Sequence, residues 1–429
     1  MVSKRNLTRR KFLTHSAVAG GALTLAGANV NLAAAPGGGT IGVGLVGCGK
    51  RGVAAAKNCV QSARGVKVVA LADAFADAMS GARTALGVDQ GKCFAGLDAY
   101  KKLLALDEVN LVILATPPVF RPVHFAAAVA KGKHVFLEAP VAICTAGVEM
   151  VIAASKAAAA DKLAVVAGTQ RRHDPAYVET MKRIHDGAIG EIVNAQCYCN
   201  LGGADPVKRR PGQSDVEWQI RNWPFFRWLS GDLIIARHAH NIDVINWAFN
   251  AIPEAVQGLS GRQYISGPEY GDVYDHFGTE ITYANDVQTI STCRQIKGAD
   301  VLVGERVFGT KGTSNCAGII EGEKPWKYRG GPTNAYVQEH ADMIASIRAG
   351  KPLNEGEQAA VSVRAAIMAR VAGYSRRRFQ RSWFDSKCKM NWLPDEALKL
   401  SGTRPVGSAI SPASYKLPGL SGGGGKRRR

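Results

Sequence analysis

Acidic side chains are scarce in this 429-residue chain, with 35 Asp and Glu against 54 Lys and Arg and a formal net charge of +19. The first 35 residues hold no acid at all. Long apolar runs are missing too: the Gly/Ala-rich stretch Ala17–Ala28 falls short of the roughly 20 residues a membrane helix needs, so no membrane span is expected. Paired metal-ligand spacings are absent. Cysteines 48, 59, 93, 144, 197, 199, 293, 316 and 388 are odd in number and scattered, which fits a disulfide framework poorly, and Cys197-Tyr198-Cys199 has no second pair to complete a zinc site. They read as small buried apolar residues, and no metal site is expected. No zinc motif, recognition helix or aromatic RNA motif accompanies the basic surplus, which argues against nucleic acid as a partner. With 46% hydrophobic and 21% charged residues, wholesale disorder is excluded.

The surplus charge sits largely at the ends. Lys4, Arg5, Arg9, Arg10 and Lys11 precede the Ala17–Ala28 run, and Ala33-Ala34-Ala35 supplies small residues of the kind a signal peptidase reads. Thr8-Arg9-Arg10-Lys11-Phe12-Leu13 is similar to a twin-arginine (Tat) signal, so residues 1–35 are expected to direct export of the folded protein to the periplasm. Four more positives close the chain at Lys426–Arg429 after a glycine run. A third cluster, Arg376, Arg377, Arg378, Arg381, Lys387 and Lys389, reads as a solvated face, with a contact to a neighbouring subunit or an acidic glycan as the alternative.

What the chain does contain is a βαβ unit with its parts in order. The apolar run Thr40–Val46 leads into Gly47-Cys48-Gly49-Lys50-Arg51-Gly52, a helical stretch to Ala63, a second apolar run Val66–Ala72, and then Asp73. Gly47 permits the tight turn, Gly49 lets backbone approach a pyrophosphate, Gly52 allows close helix packing, and the helix N-terminus with Lys50 and Arg51 meets the negative charge. Asp73, 21 residues beyond Gly52, stands where a partner for the ribose 2′-hydroxyl belongs. A carboxylate there repels a 2′-phosphate, so the expected cofactor is NAD rather than NADP.

Further strands are read at 110–115, 134–137 and 163–167, with helices between, so the fold class is α/β with an N-terminal doubly wound parallel Rossmann sheet. Ligands bind beyond the C-terminal ends of such strands, placing Thr116, Pro117, Glu138 and Gln170 along the cleft. From residue 171 the pattern turns to α+β, with a helix over 177–186 and alternating strands at 191–200, 278–283 and 288–293. The expected division is a Rossmann domain over 36–170, a second domain over 171–385, and a tail over 386–429. Glycines 202, 203 and 212 mark a polar loop that suits the rim of a substrate pocket. Trp218, Trp223, Phe225, Phe226 and Trp228 after it suit either core packing or a sugar-stacking platform.

In combination these features resemble the Gfo/Idh/MocA oxidoreductases, named for glucose-fructose oxidoreductase and inositol dehydrogenase. The likeness rests on the glycine fingerprint, Thr116-Pro117 with His124, the Glu-x-Pro at 138–140, Arg171-Arg172-His173, Lys182–Gly187, Trp228–Asp232, His238–Trp247, Gly309–Gly312 and Glu339-His340. The segment around His238–Trp247 is similar to a Tat-exported bacterial branch. The resemblance implies a second domain with an open, mostly antiparallel sheet, a homo-oligomer (dimer or tetramer), and hydride transfer between a nicotinamide cofactor and a sugar, cyclitol or polyol hydroxyl. It implies His124 as a further cofactor residue, and Arg171, Arg172, His173, Arg237, His238 and His240 toward the substrate. For His238 a packed or capping role stands beside the substrate role, because it points roughly opposite His240.

The family assigns proton transfer to the Lys of Glu-Lys-Pro and to an acid four residues before a His. Here those positions are Ala139 and Ala236, leaving His240; Phe308 stands where the exported branch carries a His. Asp243, on the same helical face at i+3, is the candidate to orient His240 in place of the missing acid, and Asp275 and His276 lie on a nearby motif. Each lost group is typically worth ~10²–10⁴ in rate. The resemblance therefore also admits an NAD-dependent glycosidase or a catalytically weakened, NAD-loaded binding protein.

Overall fold

The computed structural model describes residues 39–395 and 397–406. The twin-arginine segment and the terminal basic cluster lie outside the described residues. Strand β1 (Ile41–Val46) is buried along its whole length, as a central parallel strand covered on both faces must be. Around it β2 (Val66–Asp73), β3 (Cys93–Ala95), β4 (Leu111–Leu114), β5 (His134–Leu137) and β6 (Val165–Ala167) complete a six-stranded parallel sheet in the order β3-β2-β1-β4-β5-β6. That order reverses direction between β1 and β4, and a doubly wound sheet opens its ligand crevice at such a point. Sequence patterning missed β3, because three residues at a sheet edge are too few to show a period.

Helices α1 (Lys50–Ser62), α2 (Ala76–Leu86), α3 (Arg121–Ala130) and α4 (Thr145–Ala160), with the short helix Ala99–Leu104 between β3 and β4, form the crossovers. In α4, Gly147, Val148, Val151, Ala154, Ser155 and Ala158 are the buried residues, a stripe at helical spacing that faces the core.

The second sheet has nine strands in the order β14-β13-β12-β11-β7-β10-β9-β8-β15. They are β7 (Ile192–Leu201), β8 (Ala255–Gly261), β9 (His276–Thr282), β10 (Gln288–Gln295), β11 (Leu302–Gly309), β12 (Gly312–Ser314), β13 (Ile319–Gly322), β14 (Trp326–Lys327) and β15 (Phe379–Gln380). All neighbours run antiparallel except β7 and β10. Cys197 and Cys199 alternate with outward residues on β7 and are buried, as the period-two reading requires; all nine cysteines are free thiols.

Among the helices that follow are α5 (Pro175–His185), α6 (Asp215–Arg221), α7 (Ala239–Phe249), α8 (Ala335–Arg348) and α9 (Gly356–Ser375). Helix α7 lies on β7 and β11, whereas α8 returns to pack on α1 and α9 packs on both α4 and β8. Residues 353–355 even join the Rossmann sheet, Val165 donating to the Leu353 carbonyl at 2.8 Å. The expected single cut near residue 170 is thus crossed again by the returning C-terminal helices. Among the described residues no helix is long and apolar enough to cross a membrane.

Candidate functional site

The glycine loop has the backbone that its sequence demands. Gly47 has φ +98°, and a Cβ there would lie 2.7 Å from backbone atoms of Ala115 and Thr116. A Cβ on Gly52 would lie 1.9 Å from the Gly47 carbonyl oxygen, so α1 can start this close to β1 only without a side chain. Gly49 caps α1 and faces open space, leaving the first-turn N–H groups turned toward the crevice. The Asp73 carboxylate accepts N–H bonds from Cys48 at 2.7 Å and Phe75 at 2.9 Å, which pins the end of β2 to the glycine loop. Burial raises its pKa, and the two N–H groups oppose that rise.

A cavity of about 380 Å³ opens along this edge, lined by Gly47, Gly49, Asp73, Thr116, Pro117 and His124 among others. His124 is buried, lies 3.3 Å from the Thr116 hydroxyl and packs on Tyr100; burial depresses its pKa to about 3, so the ring is neutral. Glycine cradle, free helix N-terminus and an acid on the ribose side fit a nicotinamide dinucleotide by geometry and by donor chemistry.

The remaining cofactor candidates gather beside the cavity. Arg51 lies 2.5 Å from Glu138 and 3.6 Å from Glu339, with its guanidinium 5.1 Å above the Tyr336 ring. Tyr336 also accepts from Gln170 at 3.2 Å. Glu138 and Glu339 are both buried, and burial raises both their pKa values. Arg121, which sequence reasoning passed over, is buried and donates to the carbonyls of Thr116, Glu138 and Pro140 at 2.8, 3.1 and 2.8 Å. It ties the two cleft loops together, and its only sequence signal is an arginine inside an otherwise apolar helix.

His240 is partly buried on α7 and makes no hydrogen bond among the described residues. Its pKa falls to about 4, first through burial and then through the positive charge of Arg171, Arg237 and Arg51, with Asp243 opposing. Ala139 and Ala236 are both partly exposed. Arg237 is exposed and joins no ion pair among the described residues.

The other candidates have partners of their own. Asp243 gives both carboxylate oxygens to Arg172, at 2.8 and 2.9 Å, and Arg172 stacks on Trp247. Burial pushes the Asp243 pKa up, but the Arg172 charge and hydrogen bonds outweigh it and hold the carboxyl below its ordinary range. Its orienting partner is thus Arg172, and no hydrogen bond runs from it to His240. Arg171 lies 3.2 Å from Glu305, which also accepts from Asn241 and Tyr177. His173 sits 2.7 Å from Asp342 and 3.2 Å from Glu355, a clasp between the β6 exit and α8. His238 is wholly buried, 2.7 Å from the Ser291 hydroxyl, so it packs on the second sheet and the structure does not bring it to the cavity. Asp275 is spent on the N–H groups of Gln263 and Tyr264 and on His276. Of the aromatic cluster Trp218, Phe225 and Phe226 are core, while Trp223 lines the dinucleotide cavity with Val207 and Arg210 of the glycine-flanked loop.

Fold and cleft define an α/β protein with a Rossmann-type dinucleotide-binding site. Residues 41–169 match the oxidoreductase family with an NAD-binding Rossmann fold, GFO_IDH_MocA. It is 27% identical over 231 residues to scyllo-inositol 2-dehydrogenase (NAD(+)) of Bacillus subtilis, covering 53% of this chain and 65% of that protein. It is 30% identical over 215 residues to inositol 2-dehydrogenase of Klebsiella pneumoniae, covering 50% of this chain and 56% of that one. The matches thus span less than two thirds of either relative. Among solved structures, scyllo-inositol dehydrogenase from Lactobacillus casei with bound NAD(H) and scyllo-inositol aligns with TM-score 0.63 at 20% identity, over 80% of this chain and 99% of that one. Aldose-aldose oxidoreductase from Caulobacter crescentus aligns with TM-score 0.64 at 17% identity over 80% and 99%. These likenesses establish the fold across both sheets.

Proposed function

We propose that the protein is an NAD-dependent oxidoreductase acting on a hydroxyl of a sugar, cyclitol or related polyol. The observation that carries this reading is the dinucleotide cavity at the glycine loop, together with a neutral, hydrogen-bond-free His240 near enough to feel the charge of Arg51 from that loop. Bound NAD supplies a nicotinamide ring that accepts or returns hydride. Gly47, Gly49 and the start of α1 seat the pyrophosphate, Asp73 takes ribose hydroxyls, and Arg121 holds the loops beneath the ring. His240 takes the substrate hydroxyl proton, and the positive field of Arg171 and Arg237 favours the alkoxide that this leaves. The same field disfavours the imidazolium, which together with Ala139 and Ala236 supports slow turnover.

NADH formation across a panel of polyols tests the reading. A139K and A236E, singly and combined, are expected to raise the rate by about 10²-fold or more. Parent turnover equal to that of the double variant would show that the alanines do not limit the site. Release of free sugar with no net NADH would replace the dehydrogenase reading with a glycosidase.

Two further proposals concern setting. The Thr8–Leu13 twin-arginine segment and Ala33–Ala35 support export to the periplasm, which a reporter fused behind residues 1–38 tests by its location. The open face of the second sheet shows Leu259 at 66%, Ile290 at 41% and Leu302 at 51% exposure, which supports a homo-oligomer joined through that face.

A further inference from the structure

The wall of the dinucleotide cavity opposite Asp73 comes from the second sheet's domain. Val207, Arg210, Ile220, Arg221 and Trp223 line it, and none belongs to the Rossmann unit. The segment is firmly placed. Val207 donates to the Asn222 side chain at 2.8 Å, and the Trp218 indole donates to the Val207 carbonyl at 2.9 Å. On its outer side α6 is braced by the C-terminal stretch, Gln219 donating to the Arg404 carbonyl at 2.6 Å and Arg404 N–H to Asp215 at 3.0 Å.

Its inner side is fastened to the Rossmann domain by an arginine. Arg221 holds Asp77 of α2 through two parallel bonds of 2.9 and 3.0 Å. The same guanidinium lies 3.7 Å over the ring of Phe75, which lines the cavity two residues beyond Asp73. The fastening therefore stands beside the wall expected to hold the adenosine ribose. Asp77 is largely exposed, so the contact offers the core little, whereas a planar fork stacked on an aromatic fixes direction well.

Building on the NAD reading of this cavity, we propose that residues 207–223 are the second half of the dinucleotide site. Arg210 and Trp223 cover the adenosine end with a cation and an aromatic face. The Arg221–Asp77 pair, stacked on Phe75, is the latch that must open before the dinucleotide leaves. Asp77 does not line the cavity and is a positioning residue acting through the covering segment, so D77A isolates the latch, whereas Arg221 also lines the cavity beside Phe75.

The test uses the purified full-length protein and NADH itself, read by its fluorescence. In a stopped-flow chase with excess NAD⁺, R221A and D77A are expected to release NADH about tenfold faster than the parent. D77E, which keeps a carboxylate for Arg221, is expected to retain slow release, which a general loss of structure would not do. R210A is expected to weaken NADH affinity by about tenfold while leaving the thermal midpoint unchanged. Release from R221A and D77A at the parental rate overturns the latch while leaving NAD binding intact. A parent that binds no NADH overturns both the latch and the proposed function.

Discussion

His240 illustrates how far surroundings reset a side chain. An ordinary imidazole is half protonated near pH 6.5, yet burial and three guanidiniums bring this one to about 4. As a proton acceptor it is competent throughout the neutral range and weak in driving force. The kcat/KM of the parent is expected to stay flat from pH 5 to 8 and fall only as pH drops through about 4. H240A is expected to lose about 10²–10⁴ in kcat while NADH affinity holds, and an unchanged kcat would remove His240 from the chemistry. Ala139 and Ala236 act in the opposite sense, by what they withhold. Neither carries a group to steer the imidazole, and Asp243 is already committed to Arg172.

Between elements, polar clasps supplement the apolar core that runs through both sheets. His173 joins the end of β6 to α8 through Asp342 and Glu355, and Glu355 in turn accepts the Ala167 N–H at 3.0 Å. Burial lowers the His173 pKa, but its hydrogen bonds to the two carboxylates prevail and raise it to about 10. A folded-state pKa above the unfolded value of about 6.5 means the stabilisation is complete below pH 6.5 and is lost as pH rises toward 10. H173Q is expected to cost about 1.5–3 kcal/mol at pH 6 and progressively less toward pH 10, read as thermal midpoint against pH. Equal losses at both ends would show that the clasp is not ionic. Arg121 is the second such clasp, holding the Thr116 and Glu138 loops at the crevice mouth through three backbone carbonyls.

Across the whole molecule, one sheet binds and the other offers a surface. Pairing register puts Leu259 and Ile290 on the same outward face of the second sheet, and Leu302 of β11 shares it through Asn200 of β7. L259K combined with I290K is expected to convert an oligomer to monomer by analytical ultracentrifugation, with NADH binding unaffected. A parent already monomeric at working concentration would discard that interface. The returning helices α8 and α9 make the two sheets one folding unit, since α8 covers α1 and α9 covers α4 and β8 together.

Much of this was legible in the residues alone. The order strand, glycine loop, helix, strand, acid has few other uses, because only a Gly at 47 and 52 permits the backbone distances found there. Alternation on β7 foretold that Cys197 and Cys199 share the buried face of the second sheet, since a one-residue slip would turn every side chain over. The pairings of charged groups were not legible. Whether Asp243 would face His240 or Arg172, and whether His238 would reach a cavity or a sheet, depends on elements tens to hundreds of residues apart. The covering wall of the dinucleotide site is the clearest case. Val207, Arg210 and Trp223 carry no nucleotide motif, and the packing of a remote loop, held by Arg221 on Asp77, is what sets them over the cleft. Local chemistry is written in spacing and period, whereas the partner of a long charged side chain is chosen by the fold that delivers it.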